Sequence, residues 1–348
     1  MSQPAISKTE KEKDIFLNAK KMITTASLKG DFFLIRLAGG KNNRVFQLKS
    51  KDCSYCLKYY FRHESDLRDR LKTEYSFISF LWNSGITTVP KPIILDEFYG
   101  LGLYEFIEGG KLCSDEIKED HIKQAIQFYL VLNEKKNNPG ANQLPIASEA
   151  CFSIFDHINC VEGRIKRLKK IEVMDELSEA ARGFIKNRLI EAWVKIKKKT
   201  FIQGENLSLN LEQPISKKER CLSPSDFGFH NAILEKKGQL RFIDFEYAGW
   251  DDPAKMICDF FCQQEVPVDP KFFSLIEAEV IKHSPNPDIL QKKIRLLFPV
   301  YKIKWCCIML NDFLAVGNER RSFALHTKND ERKKEQLKRV EFYLNKIL

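Results

Sequence analysis

Three side chains that can offer oxygen ligands lie on two short segments in the second half of the chain. Asp226 and Asn231 belong to SDFGFHN, and Asp244 belongs to LRFIDFEYAGWDDP. Phosphoryl transfer needs such groups, because a hydroxyl must be aimed at a phosphate whose charge is neutralised by divalent ions. We therefore predict that Asp226 is the catalytic base and that Asn231 and Asp244 are metal ligands. The chemistry is that of a kinase using a magnesium nucleotide.

Asp226 and His230 also have simpler interpretations than roles in a kinase. Asp226 follows Pro224 and Ser225, a sequence typical of a turn or a helix cap. A cap, however, does not predict Asn231 downstream, nor the apolar hairpin that ends in IDFE. His230 is a lone loop histidine, which we interpret as a packing or supporting residue rather than a metal ligand.

Two further features are typical of a nucleotide site. Gly39 and Gly40 lie in GGKNNRVFQL, where a backbone without side chains can approach phosphates. A glycine pair alone is more often a simple turn.

Lys58 lies in the apolar strand YCLKYYF, and a buried lysine needs a partner, for which Glu74 of the next helical segment is suitable. Kinases use such a pair to grip nucleotide phosphates. The alternative is a solvent-facing lysine on an edge strand.

The segment LYEFIEGG is predicted to join two lobes. An extended linker leaves backbone groups free for the edge of an adenine, and we expect contacts from the Glu105 carbonyl and the Ile107 amide. This expectation comes from position, since the side chains carry no signature.

Hydrophobic periodicity predicts the elements that must position these residues. Alternation over 31–60 indicates three antiparallel strands, followed by an amphipathic helix, two further strands and the hinge. From position 109 the patterns are helical, apart from a hairpin around Lys237 and Gly238. We predict an α+β fold with a small antiparallel β N-lobe (1–107, including the hinge) and a larger helical C-lobe (108–348). The polar stretch 203–220 is predicted to be a mobile loop.

Composition narrows the cellular setting. The 348 residues contain no apolar run long enough for a bilayer span, and the N-terminus lacks a signal-peptide pattern. Ten scattered cysteines suit a reducing compartment, and the pair Cys53 and Cys56 lacks a second pair at zinc spacing. We expect a cytoplasmic protein.

The formal net charge of +10 favours acidic partners. Much of the excess lies in two basic runs, 164–170 and 195–199, which we interpret as solvated helix faces. The alternative hypothesis is a nucleotide-sensing or nucleic-acid-binding pseudokinase that docks through these faces.

From Leu37 to about Phe313 the sequence resembles the aminoglycoside phosphotransferase and choline kinase superfamily, which has a bilobal protein-kinase-like fold. The motifs that carry the resemblance are the GGxxN-type loop with Gly40 and Asn43, the pair Lys58 and Glu74, the hinge YEFIEG, the catalytic spacing from Asp226 to Asn231, and FIDFEYAGWDDP in place of IDFExAxxGDP.

The chain departs from the family pattern at the support of the catalytic loop. Pro224 and Ser225 stand where the family has His-Gly, and Met256 stands where a second aspartate is usual. We expect an altered brace behind the loop.

The resemblance implies ATP or GTP, Mg²⁺, and transfer of the γ-phosphate to a hydroxyl of a small-molecule acceptor. Aminoglycosides would require an acidic pocket and choline an aromatic box. The positive balance instead favours a sugar, a sugar phosphate, a nucleoside or an envelope-glycan precursor, and thus an acceptor that can be anionic.

Overall fold

The structure is a computed structural model that describes residues 10–38, 40, 42–64, 66–324 and 329–347. In the N-lobe, one sheet contains the strands β1 (Phe33–Arg36), β2 (Arg44–Lys49), β3 (Ser54–Tyr59), β4 (Pro92–Asp96) and β5 (Leu101–Glu105). All neighbouring strands are antiparallel, in the order β1-β2-β3-β5-β4. The predicted strands are confirmed.

The central strand of this sheet is β3, and it carries Lys58 between Val45 of β2 and Gly102 of β5. The alternative of an edge-strand lysine facing solvent is therefore wrong. A side chain at Gly102 would collide with Tyr104, because a Cβ there would lie 2.7 Å from the Tyr104 hydroxyl.

Helices make up most of the remaining described structure. Their bounds are α1 (Glu10–Thr25), α2 (Arg70–Asn83), α3 (Glu119–Glu134), α4 (Ile154–Leu168), α5 (Glu176–Phe184), α6 (Ile190–Asn206), α7 (Pro253–Cys262), α8 (Phe273–Lys282), α9 (Pro287–Met309), α10 (Ala315–Ala324) and α11 (Asn329–Asn345). None of these helices is both long enough and apolar enough to cross a membrane.

The lobes have distinct apolar clusters. Helix α1 packs Ile15, Ala19, Met22 and Ile23 against the sheet, in a cluster separate from the large core of the helical lobe. Helix α1 was not predicted, although its apolar spacing is helical. The second and larger cluster is centred on α7 and α9 and reaches α2 of the N-lobe. The division at position 107 stays a prediction.

Four short strands bring the two chemistry-bearing loops together. Strands β6 (Cys221–Ser223) and β9 (Gly249–Asp251) pair antiparallel, and the hairpin of β7 (Ala232–Leu234) and β8 (Leu240–Phe242) is nested between them in the chain. The hairpin confirms the prediction around Gly238, whose φ of 83° suits glycine. Strand β6 leads to Asp226 and β8 leads to Asp244. The Ile243 amide donates to the Asn231 carbonyl at 2.9 Å, so the two loops lie side by side.

The segment 203–220 differs from its prediction. It begins inside α6, and its later part is tied to the lobe: the Leu211 carbonyl accepts from the Phe155 amide at 2.8 Å, and the Ile215 amide donates to the Phe152 carbonyl at 2.7 Å. The expectation of a loop without fixed contacts is wrong because its leucines find apolar partners in the core.

Candidate active site

Lys58 is the meeting point of the two lobes. Its Nζ lies 2.6 Å from Glu74 Oε1 of α2 and 3.0 Å from Asp244 Oδ1 of the loop after β8. The Tyr60 hydroxyl donates to the other Glu74 oxygen at 2.6 Å. Burial raises the pKa of Glu74 against the opposing effect of Lys58. Burial alone would lower the pKa of Lys58, but Asp244 and Glu74 outweigh it and raise that pKa well above its ordinary value, so the ammonium is retained.

The segment from Asp226 to Asn231 is held by its own side chains. His230 Nε2 lies 3.1 Å from Asp226 Oδ1. The side-chain nitrogen Nδ2 of Asn231 donates to the main-chain carbonyl of Asp226 at 2.9 Å. The Asn231 carbonyl accepts from the Ile243 amide at 2.9 Å, which places Asp244 beside this segment. His230 therefore supports the aspartate, in agreement with its interpretation as a supporting residue.

Asp244 and Ser225 both have left-handed backbones, with φ of 69° and 66°. Such conformations are uncommon outside glycine and tend to occur at functional sites, where the surrounding structure holds them. Each adjoins or forms part of the predicted catalytic and metal-binding set.

The donor set suits Mg²⁺. Asn231 gives its amide nitrogen to Asp226, so its carboxamide oxygen is left for a cation, and Asp244 adds a carboxylate. In the described residues no cluster of three or more His, Cys, Asp or Glu side chains could hold a metal alone. Two protein oxygens completed by water and nucleotide phosphates are what Mg²⁺ commonly uses in kinases. The metal roles of Asn231 and Asp244 stay predictions.

Glu246 joins the loop between β1 and β2 to the segment that contains Asp244. Sequence reasoning missed this residue. Glu246 accepts hydrogen bonds from the Asn42 and Asn43 side chains, each at 2.6 Å. The Asn43 carboxamide is thus already bonded inside the protein, and its predicted nucleotide contact stays untested. Gly40 lies on the cavity wall, where a Cβ would come within 2.5 Å of the Asn43 carbonyl oxygen. Gly39 lies outside the described residues.

Both predicted hinge residues line the cavity. The Glu105 carboxylate accepts from the Lys91 amide at 2.9 Å and from Arg241 at 2.8 Å, which fixes the hinge to the C-lobe. Within the described chain, the Ile107 amide donates no hydrogen bond to another backbone group. The adenine contacts of Glu105 and Ile107 stay predictions.

A buried lysine, Lys255, lies behind the segment that contains Asp226. Lys255 Nζ lies 2.6 Å from Asp251 Oδ2 and 3.3 Å from Ser225 Oγ, and its side chain is buried. Met256, at the position of the usual aspartate, is buried in the apolar core. A buried ion pair therefore lies beside Ser225, and its replacement of the family's usual brace stays a prediction.

A single cavity of about 1420 Å³ connects these groups. Lys58, Asp226, Asp244 and the hinge line this cavity, and residues of α4 and α9 form a further part of its wall. None of its lining residues comes from 203–220. Arg164, Arg167 and Lys170 do line it. The interpretation of the whole 164–170 run as a solvated face is wrong, because Arg164 has a side chain only 12% exposed.

The bilobal architecture and the pair Lys58 and Glu74 define the class of kinase-like phosphotransferases. The sequence model described as choline/ethanolamine kinase matches residues 34–286. The chain therefore belongs to the choline/ethanolamine kinase family, and it is a phosphotransferase that acts on a hydroxyl group of a small molecule.

Solved structures agree with this fold. An ethanolamine kinase of Plasmodium vivax aligns with a TM-score of 0.58 at 16% identity, covering 96% of this chain and 90% of the other. A choline kinase of Cryptosporidium parvum Iowa II gives 0.57 at 16% identity, covering 96% and 99%. A spectinomycin phosphotransferase solved with ADP and spectinomycin gives 0.55 at 13% identity, covering 93% and 98%. None of the curated protein sequences matches the chain significantly.

Proposed function

We propose that the protein transfers the γ-phosphate of ATP to a hydroxyl of a sugar, a nucleoside or an envelope-glycan precursor, with GTP as the alternative donor. The observation that carries this proposal is the contact of Lys58 with both Glu74 and Asp244, at 2.6 Å and 3.0 Å, on the cavity that also contains Asp226. Such a lysine can neutralise nucleotide phosphates beside the metal ligands.

The chain's own residues divide the reaction between them. Asp226 takes the proton of the acceptor's hydroxyl while the oxygen of that hydroxyl bonds to the γ-phosphorus of ATP. The bond between this phosphorus and the bridging oxygen breaks, and ADP leaves. His230, at 3.1 Å, orients the Asp226 carboxylate. Asn231 and Asp244 would hold Mg²⁺, which supplies charge neutralisation at the phosphate oxygens. Lys58, held by Glu74, adds a fixed positive charge.

Asp226→Asn separates transfer from binding. We expect its kcat to fall by about 10²- to 10⁴-fold, the usual effect of removing a general base, while calorimetry shows ATP–Mg²⁺ affinity close to that of the unmodified protein. Asp244→Asn should instead weaken Mg²⁺-dependent ATP binding. Asp115→Asn is the control, because Asp115 is exposed and lies off the cavity.

Unaltered turnover in Asp226→Asn would refute the assignment of the base. ATP binding without transfer to any member of a panel of sugars, nucleosides, choline and aminoglycosides would favour the nucleotide-sensing pseudokinase.

A further inference from the structure

The C-terminal end of α4 presents cations to the acceptor side of the cavity. Arg164, Arg167 and Lys170 follow each other at intervals of three residues, a spacing that makes them neighbours on a helix surface and its continuation. All three line the cavity. Arg167 and Lys170 are exposed as well as lining the cavity, whereas the exposed Lys166 and Lys169 of the same turns do not line it.

The positive charge of this wall exceeds its negative charge. Lys304 and Lys255 also line the cavity, but Asp259 lies 2.8 Å from Lys304 and Asp251 lies 2.6 Å from Lys255. For the three cations of α4, the carboxylate in reach is Glu149, which bonds Arg164 and lies 3.4 Å from Arg167. In the described chain no carboxylate forms an ion pair with Lys170, so Glu149 pairs with two of the three cations. Glu265 also lines the cavity, and with it two carboxylates stand against three cations.

Arg164 also has a donor without an acceptor. Its Nε is buried and makes no hydrogen bond within the described residues. Leaving a buried donor of a charged group unpaired is unfavourable, typically by about 1–3 kcal/mol.

The surroundings are unsuited to a quaternary ammonium. Tyr247 and Trp305 are the aromatic side chains lining this side in the described chain. The guanidinium groups of Arg68 and Arg70 already lie over the Tyr247 ring, at 5.3 Å and 5.6 Å from its centroid. The Trp305 indole donates to Asp259 at 2.8 Å, and one remaining ring does not form the aromatic cage that binds quaternary ammonium groups.

A short series of contacts joins this wall to the catalytic loop. Ser225, next to Asp226, donates from its hydroxyl to the Ser148 carbonyl at 3.5 Å, and the next residue, Glu149, bonds Arg164. Arg164 is thereby linked to the segment that carries the predicted base, as an acceptor site requires.

From these observations we infer that the acceptor carries a phosphate or carboxylate, and that Arg164, Arg167 and Lys170 bind this anionic group while Asp226 receives the proton of the acceptor's hydroxyl. The inference rests on the proposed function and names the chemical class of its substrate. Guanidinium groups suit both anions because their N–H donors match paired oxygens.

Two double variants test the site at equal charge. Arg167→Gln with Lys170→Gln removes two exposed cations that line the cavity, whereas Lys166→Gln with Lys169→Gln removes two exposed cations of the same helix end that do not line it. Calorimetry of the protein saturated with ADP–Mg²⁺ measures its affinity for inorganic phosphate and for glucuronate, which distinguish the two anions. We expect the cavity variant to lose at least about 10-fold in affinity for one of them, and the control to lose little.

Steady-state kinetics provides the second readout. Matched acceptors are a hexose, its 6-phosphate, its uronate and, as the cationic comparison, choline. An anionic acceptor should have the highest kcat/KM, and the cavity variant should raise its KM about 10- to 100-fold without changing the KM for ATP.

Absence of anion binding to the unmodified protein, equal losses in both double variants, or a preference for choline would overturn the inference. Failure of the proposed function looks different, because ADP–Mg²⁺ would then not bind, or Asp226→Asn would leave transfer unchanged.

Discussion

Glu149 is held in an unusual state by its neighbours. Its backbone φ is 55°, which is uncommon for this residue type, and its carboxylate bonds Arg164. Burial alone would raise the pKa of Glu149, but Arg164 and Lys304 outweigh burial and lower it to about 2 from an ordinary value of 4.5. A carboxyl whose pKa is lower in the folded than in the unfolded chain stabilises the fold above its unfolded pKa. That contribution disappears as the pH falls through the folded pKa.

Glu149→Gln should therefore destabilise the protein in a pH-dependent way. At pH 7 we expect a loss of about 2 kcal/mol, reduced from the full linkage value because the side chain is partly solvated. Between pH 4.5 and 2 the unmodified protein protonates Glu149 and approaches the variant. Urea midpoints measured from pH 3 to 7 check this. The exposed Glu172→Gln should give a small, constant difference, and a pH-independent loss in Glu149→Gln would contradict the assigned charge state.

At the scale of elements, the loop between β1 and β2 depends on a residue more than 200 positions away. Glu246 accepts from both Asn42 and Asn43, and each asparagine oxygen is itself engaged: Arg321 lies 3.0 Å from Asn42 Oδ1, and the Phe61 amide lies 3.2 Å from Asn43 Oδ1. Rotating an asparagine carboxamide could not replace a hydrogen bond lost at Glu246. The rotation would turn the carboxamide oxygen away from Arg321 or from the Phe61 amide and break that bond as well.

Glu246→Gln should loosen this loop. Glutamine has one acceptor oxygen, so one asparagine amide would face another N–H donor and lose its bond, at a cost of about 1–2 kcal/mol. We expect the KM for ATP to rise about 10-fold with a smaller change in kcat, measured by steady-state kinetics. Glu134→Gln at the exposed end of α3 is the control. An unchanged KM for ATP would show that the loop does not need Glu246.

The elements differ in how far their sequence predicts them. Strands β1 to β5 and the partnership of Lys58 with Glu74 follow from local alternation and from the need of a buried charge for a partner. The bonds of Glu246 to Asn42 and Asn43 join distant segments, and no local pattern predicts which carboxylate an asparagine meets. Strands β6 and β9 contain only three residues each, too few for a period.

The basic run of α4 shows the same limit. Its composition fits a solvated face. The sequence does not show which of its five cations line the cavity, because the side of a helix that faces a cavity depends on tertiary packing. Met256 departs from the family pattern, and the altered brace inferred from this departure stays a prediction. The ion pair of Lys255 with Asp251 could not be predicted from sequence, because it depends on which residues the fold brings behind the loop.

At the scale of the whole molecule, α10 returns from the C-lobe to the outer end of the sheet. Phe323 packs on Tyr59 and Phe61, with ring centroids 5.2 Å and 5.4 Å away. Arg44 of β2 donates to the Phe323 carbonyl at 2.8 Å and stacks on its ring. Other residues of α10, including Arg321, line the cavity, so one helix both contacts the sheet and forms part of the cavity wall.

Phe323→Ala should weaken this junction. Removing a partly buried phenylalanine ring should cost about 2–3 kcal/mol, below the value for a fully buried one, and the stacking on Arg44 is lost as well. We expect a lower Tm, faster amide hydrogen exchange in β1 and β2, and a higher KM for ATP, because Arg321 of the same helix bonds Asn42 in the nucleotide loop. Phe342→Ala is the matched control, since that ring on α11 is 63% exposed. If exchange in β1 and β2 stayed at its original rate while Tm fell, α10 would stabilise the C-lobe alone. The lobes would then be coupled by the other contacts between them: Lys58 with Asp244, Glu105 with Arg241, and Glu246 with Asn42 and Asn43.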